Sequence, residues 1–119
     1  MYQISEAARQ VGISIPTIRY YEKLGLIDEA PKNERGYKLY SQTAIHYLGF
    51  IVNLRETDMS LEKIKRYVDA YKAGDNAECY AILQAHALEV ESELQKRQQI
   101  LTKIHYKVSH FNKLKGGGK

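Results

Sequence analysis

Two clusters of side chains in the first forty residues have the chemistry to grip a polyanion. The first lies in the run Ser14-Ile15-Pro16-Thr17-Ile18-Arg19-Tyr20-Tyr21-Glu22-Lys23, which reads as a helix with Ile18 and Tyr21 turned inward. That leaves Thr17, Arg19, Tyr20 and Lys23 off the buried face. A guanidinium can donate two parallel hydrogen bonds to a guanine edge or to a phosphate. Hydroxyls and ammonium groups are ordinary phosphate ligands. Taken alone, such a face is no more than a solvated helix surface. The second cluster changes the balance. Lys32, Arg35, Tyr37, Lys38 and Tyr40 place three cations and two phenols on one short loop. A loop of this kind can lie along phosphates or in a minor groove beside the helix. Tyr37 and Tyr40 are three apart, so strand alternation puts them on opposite faces. One belongs to the core and the other to the surface, and the pattern leaves open which.

The elements that must hold these groups are legible from caps and breaks. Ser5 is placed to cap a first short helix with Ala7, Ala8 and Val11 as its apolar stripe, stopped at Gly12. Ser14 caps the second, where Pro16 in the first turn loses no hydrogen bond, and Gly25 ends it. Two short helices joined by a tight turn are a helix-turn-helix. Leu26-Ile27 and Tyr37–Tyr40 have strand character, and Pro31, Asn33 and Gly36 punctuate a turn between them, so a small β-hairpin is expected. Ser41 caps a third helix with Ile45, Leu48, Phe50, Ile51, Val52 and Leu54 as core. Ser60 caps a fourth, with Leu61, Ile64, Tyr67, Val68 and Tyr71 as its stripe, closed by Gly74.

The pattern then changes. Tyr80, Leu83, Ala87, Val90, Leu94, Arg97, Leu101, Ile104, Val108 and Phe111 are spaced alternately three and four apart, and only Arg97 is not apolar. This is a heptad seam of more than four heptads, about 46 Å long at the rise of an α-helix. No second long helix follows to cover it. The partner is therefore expected to be another copy of the chain. Arg97 either sets the register of that pairing or carries its charge to the edge on its long stem. The expected organisation is a domain over 1–74, a dimerisation helix over 75–114 and a flexible tail over 115–119.

Composition removes several classes. The 119 residues are 27% charged and 44% hydrophobic, which is a globular balance. The longest apolar run lies within Tyr47–Val52, far short of a bilayer span. The start, MYQISEAARQ, has no basic stretch followed by an apolar one, which reads against a signal peptide. The single cysteine, Cys79, excludes an intrachain disulfide. Together these lead to the expectation of a cytoplasmic protein with no membrane partner. The net charge of +4 permits a nucleic-acid partner without requiring one, because both 1–74 and 75–119 carry a net +2. An enzyme is not expected. No glycine loop follows a strand, and His46, His86, His105 and His110 are scattered with no nucleophile motif beside them.

With these residues in place, the chain resembles the mercury-resistance-regulator (MerR) family of transcription factors. The resemblance is carried by ISEAARQVGISIPTIRYYEKLGLI, then RGYKLYS, then LRETDMSLEKIK, with the seam over residues 80–111 matching the family's long helix. It implies a mainly α fold: a winged helix-turn-helix with a helical pair behind the wing, and a C-terminal helix forming an antiparallel coiled-coil homodimer. It implies a pseudo-palindromic promoter operator in double-stranded DNA, distortion of that DNA as the means of control, and RNA polymerase as a partner at the promoter. By the family motif the DNA-contacting positions fall on Thr17, Arg19, Tyr20, Arg35, Tyr37 and Lys38, with Lys23 and Tyr40 beside them. The dimerisation positions are Tyr80, Leu83, Ala87, Val90, Leu94, Leu101, Ile104, Val108 and Phe111. The alternative from the same fold type is a DNA-bending architectural or recombination accessory protein of the excisionase-like kind. Such chains usually lack a long dimerisation helix.

The resemblance says less about an effector. Metal-sensing relatives add loop cysteines after the one matched by Cys79, and here those are missing, so no metal and no cofactor is expected. A Cys79/His86 site completed by His105 and His110 of a second copy is the remaining arrangement of that kind. Stress-sensing relatives carry a cysteine in the third helix, where this chain has Asn53. Cys79 is thus either a small buried hydrophobe or, if exposed with a lowered pKa, a redox sensor. Tyr47, Tyr67 and Tyr71 are either core or walls for a small organic ligand.

Overall fold

The computed structural model describes residues 1–117, with side chains described through Leu114. Six helices follow one another: α1 (Ile4–Val11), α2 (Ile15–Leu24), α3 (Gln42–Arg55), α4 (Leu61–Lys72), α5 (Asn76–Ser109) and α6 (Phe111–Gly117). The chain divides into two units, Met1–Ile82 and Leu83–Lys119. The first is the head and holds the core.

Three of the four expected caps form. Ser14 Oγ accepts from Thr17 N at 3.2 Å, Ser41 Oγ from Ala44 N at 3.1 Å, and Ser60 Oγ from Lys63 N at 3.2 Å. Each satisfies an amide that the first helical turn leaves without a partner. Ser5 does not cap α1. The chain just before it is pinned to Tyr40 by two backbone hydrogen bonds, Tyr2 N to Tyr40 O and Tyr40 N to Tyr2 O. The helix therefore starts directly after this bridge, with Gln3 at the cap position and Ser5 already inside. Gly12 and Gly25 end α1 and α2 at φ +74° and +77°. In this left-handed region a side chain is strained and glycine is not.

α1 packs against α2 and α3, and α3 packs against α4. Their shared core is Ala7, Ile18, Leu26, Tyr40, Leu48, Ile51, Met59, Ile64 and Val68, each almost or wholly closed to solvent. Phe50, Tyr67 and Tyr47 pack on this core half-buried, whereas Tyr71 and Leu24 are exposed.

The loop between α2 and α3 folds back on itself, but not through the strands expected for it. Leu26 and Ile27 are buried in the core. The Leu26 amide donates to Tyr21 O at 3.0 Å to finish α2, which takes it out of any ladder. The loop is closed instead by one isolated antiparallel bridge, Lys32 to Lys38, and a second, Tyr2 to Tyr40, ties its end to the start of the chain. Its tip is fastened by Asn33, whose Oδ1 accepts from Arg35 N at 2.9 Å and Tyr37 N at 3.0 Å. This is an Asx-type turn, the reason asparagine suits such a position.

The second unit is helical at all its described residues except His110. The long helix was expected to run to 114, yet α5 ends at Ser109 and a short α6 follows. Ser109 Oγ donates to Tyr106 O at 3.1 Å, and His110 Nδ1 lies 2.9 Å from the same carbonyl. These side chains compete for a helical acceptor and mark the break. The register still carries across, with Leu114 N donating to His110 O at 2.9 Å. Helix α6 reaches Gly117, into the segment expected to be a flexible tail; residues 118–119 lie outside the described residues.

Candidate nucleic-acid interface

The structure brings the two sequence clusters together. Arg19 of α2 lines one shallow groove with Lys32, Gly36, Tyr37 and Lys38 of the loop and with Gln3 and Ile4 at the start of α1. Tyr20 and Tyr37 hold their rings half in solvent, at 50% and 54% exposure. Arg19, Lys23, Lys32 and Arg35 are exposed as well. Thr17 is half-buried with its Oγ1 2.7 Å from Ser14 Oγ, so its hydroxyl is already engaged in the cap.

Two of the proposed contact residues are placed differently. Tyr40 is fully buried and its hydroxyl donates to Glu22 Oε1 at 2.5 Å. It is the inward member of the Tyr37/Tyr40 pair and belongs to the core, not to the DNA-facing surface. The bridge to Tyr2 fixes its backbone and decides which way it faces. Lys38 is half-buried, its ammonium 3.1 Å from Glu22 Oε2 and 3.6 Å from Glu29 Oε1. It lines the groove, but its charge is already paired.

Glu22 is the residue that sequence reasoning missed. Its side chain is only 4% exposed, yet its carboxylate accepts from Tyr40 OH, from Lys38 Nζ and, at 3.0 Å, from the amide of Ala30. Burial alone would raise its pKa. The phenol, the amide and the ammonium outweigh that cost and hold the carboxyl below its usual range. Tyr40 is pushed upward, first by burial and then by the Glu22 carboxylate it donates to. Glu22 reads as a surface residue in sequence because its three partners come from residues 30, 38 and 40. The one signal available was its position beside the inward Tyr21.

The expected dimerisation positions of the second unit are open to solvent in the single chain. Leu83, Val90, Leu94, Leu101, Ile104, Val108 and Phe111 are 42–67% exposed, and Ala87 is exposed as well. Ile100, 45% exposed, adds to the apolar surface beside the seam, whereas Leu88 and Tyr106 are exposed on other faces of α5. Within the head, Tyr80 is likewise exposed, whereas its neighbours Cys79 and Ile82 are buried at 7% and 5%. Cys79 Sγ lies 3.9 Å from Tyr67 O. A redox role required an exposed thiol, and this one is a packed side chain of the head. Among the described residues, no group of three or more His, Cys, Asp or Glu is arranged to hold a metal ion. Nor is any described helix long and apolar enough to cross a membrane.

Comparison with known proteins defines the class. Residues 2–71 match the model for the MerR HTH family regulatory protein, and residues 45–105 match the model "MerR, DNA binding". The chain belongs to the MerR family: it is a DNA-binding transcriptional regulator and not an enzyme. It is 34% identical over 103 residues to the mercuric resistance operon regulatory protein of Bacillus cereus, covering 87% of this chain and 76% of that one. It is similar in structure to HiNmlR, a MerR family regulator lacking the sensor domain, bound to promoter DNA. The TM-score there is 0.66 at 28% identity, over 99% of this chain and 91% of HiNmlR. It also resembles EcmrR in the EcmrR–DNA complex within EcmrR-RPo, with a TM-score of 0.75 at 25% identity, over 94% of this chain and 40% of that one.

Proposed function

We propose that the protein binds a pseudo-palindromic promoter operator as a homodimer in the cytoplasm and controls transcription by distorting that DNA. The observation that carries the reading is the groove shared by Arg19 and the loop residues Lys32 and Tyr37, which puts a recognition helix and a wing on one surface. Arg19, with Tyr20 and Lys23 beside it on α2, faces a groove of the duplex, and Arg35 and Tyr37 reach the flanking backbone. The seam of α5 pairs antiparallel with that of a second copy. A two-fold dimer fixes the separation of its two recognition helices. DNA must then bend to meet both, at about 1–6 kcal/mol for smooth bending, offset by phosphate contacts. The promoter-bound relative HiNmlR and the EcmrR complex support promoter DNA and RNA polymerase as partners. The exposed seam favours a dimeric regulator over an architectural protein of the excisionase-like kind.

A salt-titrated binding assay tests this, using the promoter fragment beside the protein's own gene, a random fragment as competitor and Arg19→Ala as control. Binding that survives the competitor and depends on Arg19 is the expected outcome. Weak binding that is equal on both fragments and falls steeply with salt would reduce the protein to non-specific phosphate contact.

A further inference from the structure

The DNA-facing groups lie on two separate pieces of chain, α2 and the loop over residues 27–40. Glu22 joins them. It projects from α2 and takes one hydrogen bond from Ala30 on the way into the loop tip and two, from Lys38 and Tyr40, on the way out. The bridge between Lys32 and Lys38 closes the loop at the same level. The carboxylate therefore grips both sides of the neck from which Arg35 and Tyr37 project. A buried carboxylate is a costly way to fill space, and an apolar side chain would pack without the desolvation penalty. Its three donors do something an apolar group would not: they fix direction and distance between the loop and α2.

We propose that Glu22 is a positioning residue for DNA recognition, holding the loop to α2 so that Arg35 and Tyr37 meet DNA in register with Arg19 as one preformed surface. Glu22 does not contact DNA. It lowers the ordering cost that a loosely tethered loop would bring to binding. The inference rests on the DNA-binding reading above, and one arm of its test does not.

The first arm is amide hydrogen exchange on the full-length protein. In Glu22→Gln the charge that holds Lys38 is lost at nearly constant shape. The amides of Ala30, Asn33 and Leu39 should lose protection, while those of Leu48 and Ile51 in α3 keep theirs. Unchanged protection in the loop would overturn the clamp whether or not the protein binds DNA, and loss of protection throughout would mark Glu22 as a general stability residue. The second arm is a double-mutant cycle on the promoter fragment with Glu22→Gln and Arg35→Ala. Glu22→Gln should weaken binding roughly tenfold, the scale of one charge-assisted hydrogen bond, with the salt slope unchanged because no phosphate contact is removed. In that background Arg35→Ala should cost much less than it does in the parent. Strictly additive effects, or affinity within a factor of about two of the parent, would overturn the positioning role. Tyr40→Phe, which removes one donor and keeps the ring, should fall between parent and Glu22→Gln in both arms.

Discussion

Leu48 in α3 and Leu94 in α5 are the same side chain on two long helices, and one chain treats them in opposite ways. Leu48 is fully closed to solvent, whereas Leu94 is 67% exposed. In the head, four helices, the start of α5 and a folded-back loop bury one another's stripes, so the apolar pattern is satisfied within the chain. In the second unit, a stripe of comparable regularity stands open to solvent along its described residues. The difference teaches that heptad or helical periodicity reports only that a face must be buried. The number of elements available decides whether the chain can bury it alone.

The sharpest way to break this comparison is at the seam. Leu94→Glu places a charge in the middle of the proposed dimer contact. The variant should sediment as a single chain while its head keeps its structure by NMR; a variant that stays dimeric would remove the seam from the interface. Next in size is the head itself. Leu48→Ala should cost about 2–5 kcal/mol of unfolding free energy, through lost burial and the cavity left behind. The corresponding change on the exposed stripe, Leu101→Ala made in the single-chain Leu94→Glu variant, should cost only about 0.5 kcal/mol or less by denaturant unfolding, because Leu101 is already 42% exposed in the single chain.

Smaller effects separate the two halves of the head surface. Arg19→Ala should weaken promoter binding by at least ~1 kcal/mol at matched salt and leave thermal unfolding near that of the parent. Glu22 behaves in the opposite sense under acid. Its carboxyl is held below its usual value by Tyr40, the Ala30 amide and Lys38, with Arg19 and Glu29 the other charges near this network. The stability it contributes is therefore complete above the ordinary glutamate value, about 4.3, and is lost as the pH falls through the lowered folded value. Unfolding followed from neutral pH into this range should show a slope that Glu22→Gln flattens. A local change is expected at a cap: Ser60→Ala should cost about 1 kcal/mol in the head, by loss of the bond to Lys63 N.

Much of this was legible in the sequence for local reasons. Serine caps at 14, 41 and 60 and left-handed glycines at 12 and 25 act within a turn of their own position. Inward Ile18, Leu48 and Ile64 follow from helical period. The loop was harder. Its expected strand at Leu26 failed because the amide there was already committed to the end of α2, and Ser5 failed as a cap because Tyr2 is tied to a residue thirty-eight positions on.

The sequence by itself determined the starts of α2, α3 and α4 and the stops of α1 and α2, which faces are apolar, and that cations and phenols cluster on α2 and the following loop. These are properties of neighbours three or four residues apart, and short-range sterics and capping settle them. Only the tertiary structure decided that Tyr40 goes inward and Tyr37 outward, that Lys38 is paired, that Cys79 is packed and that Glu22 joins the two clusters. Each of those outcomes depends on a partner many residues away. A buried carboxylate is tolerable only where donors from distant parts of the chain converge on it.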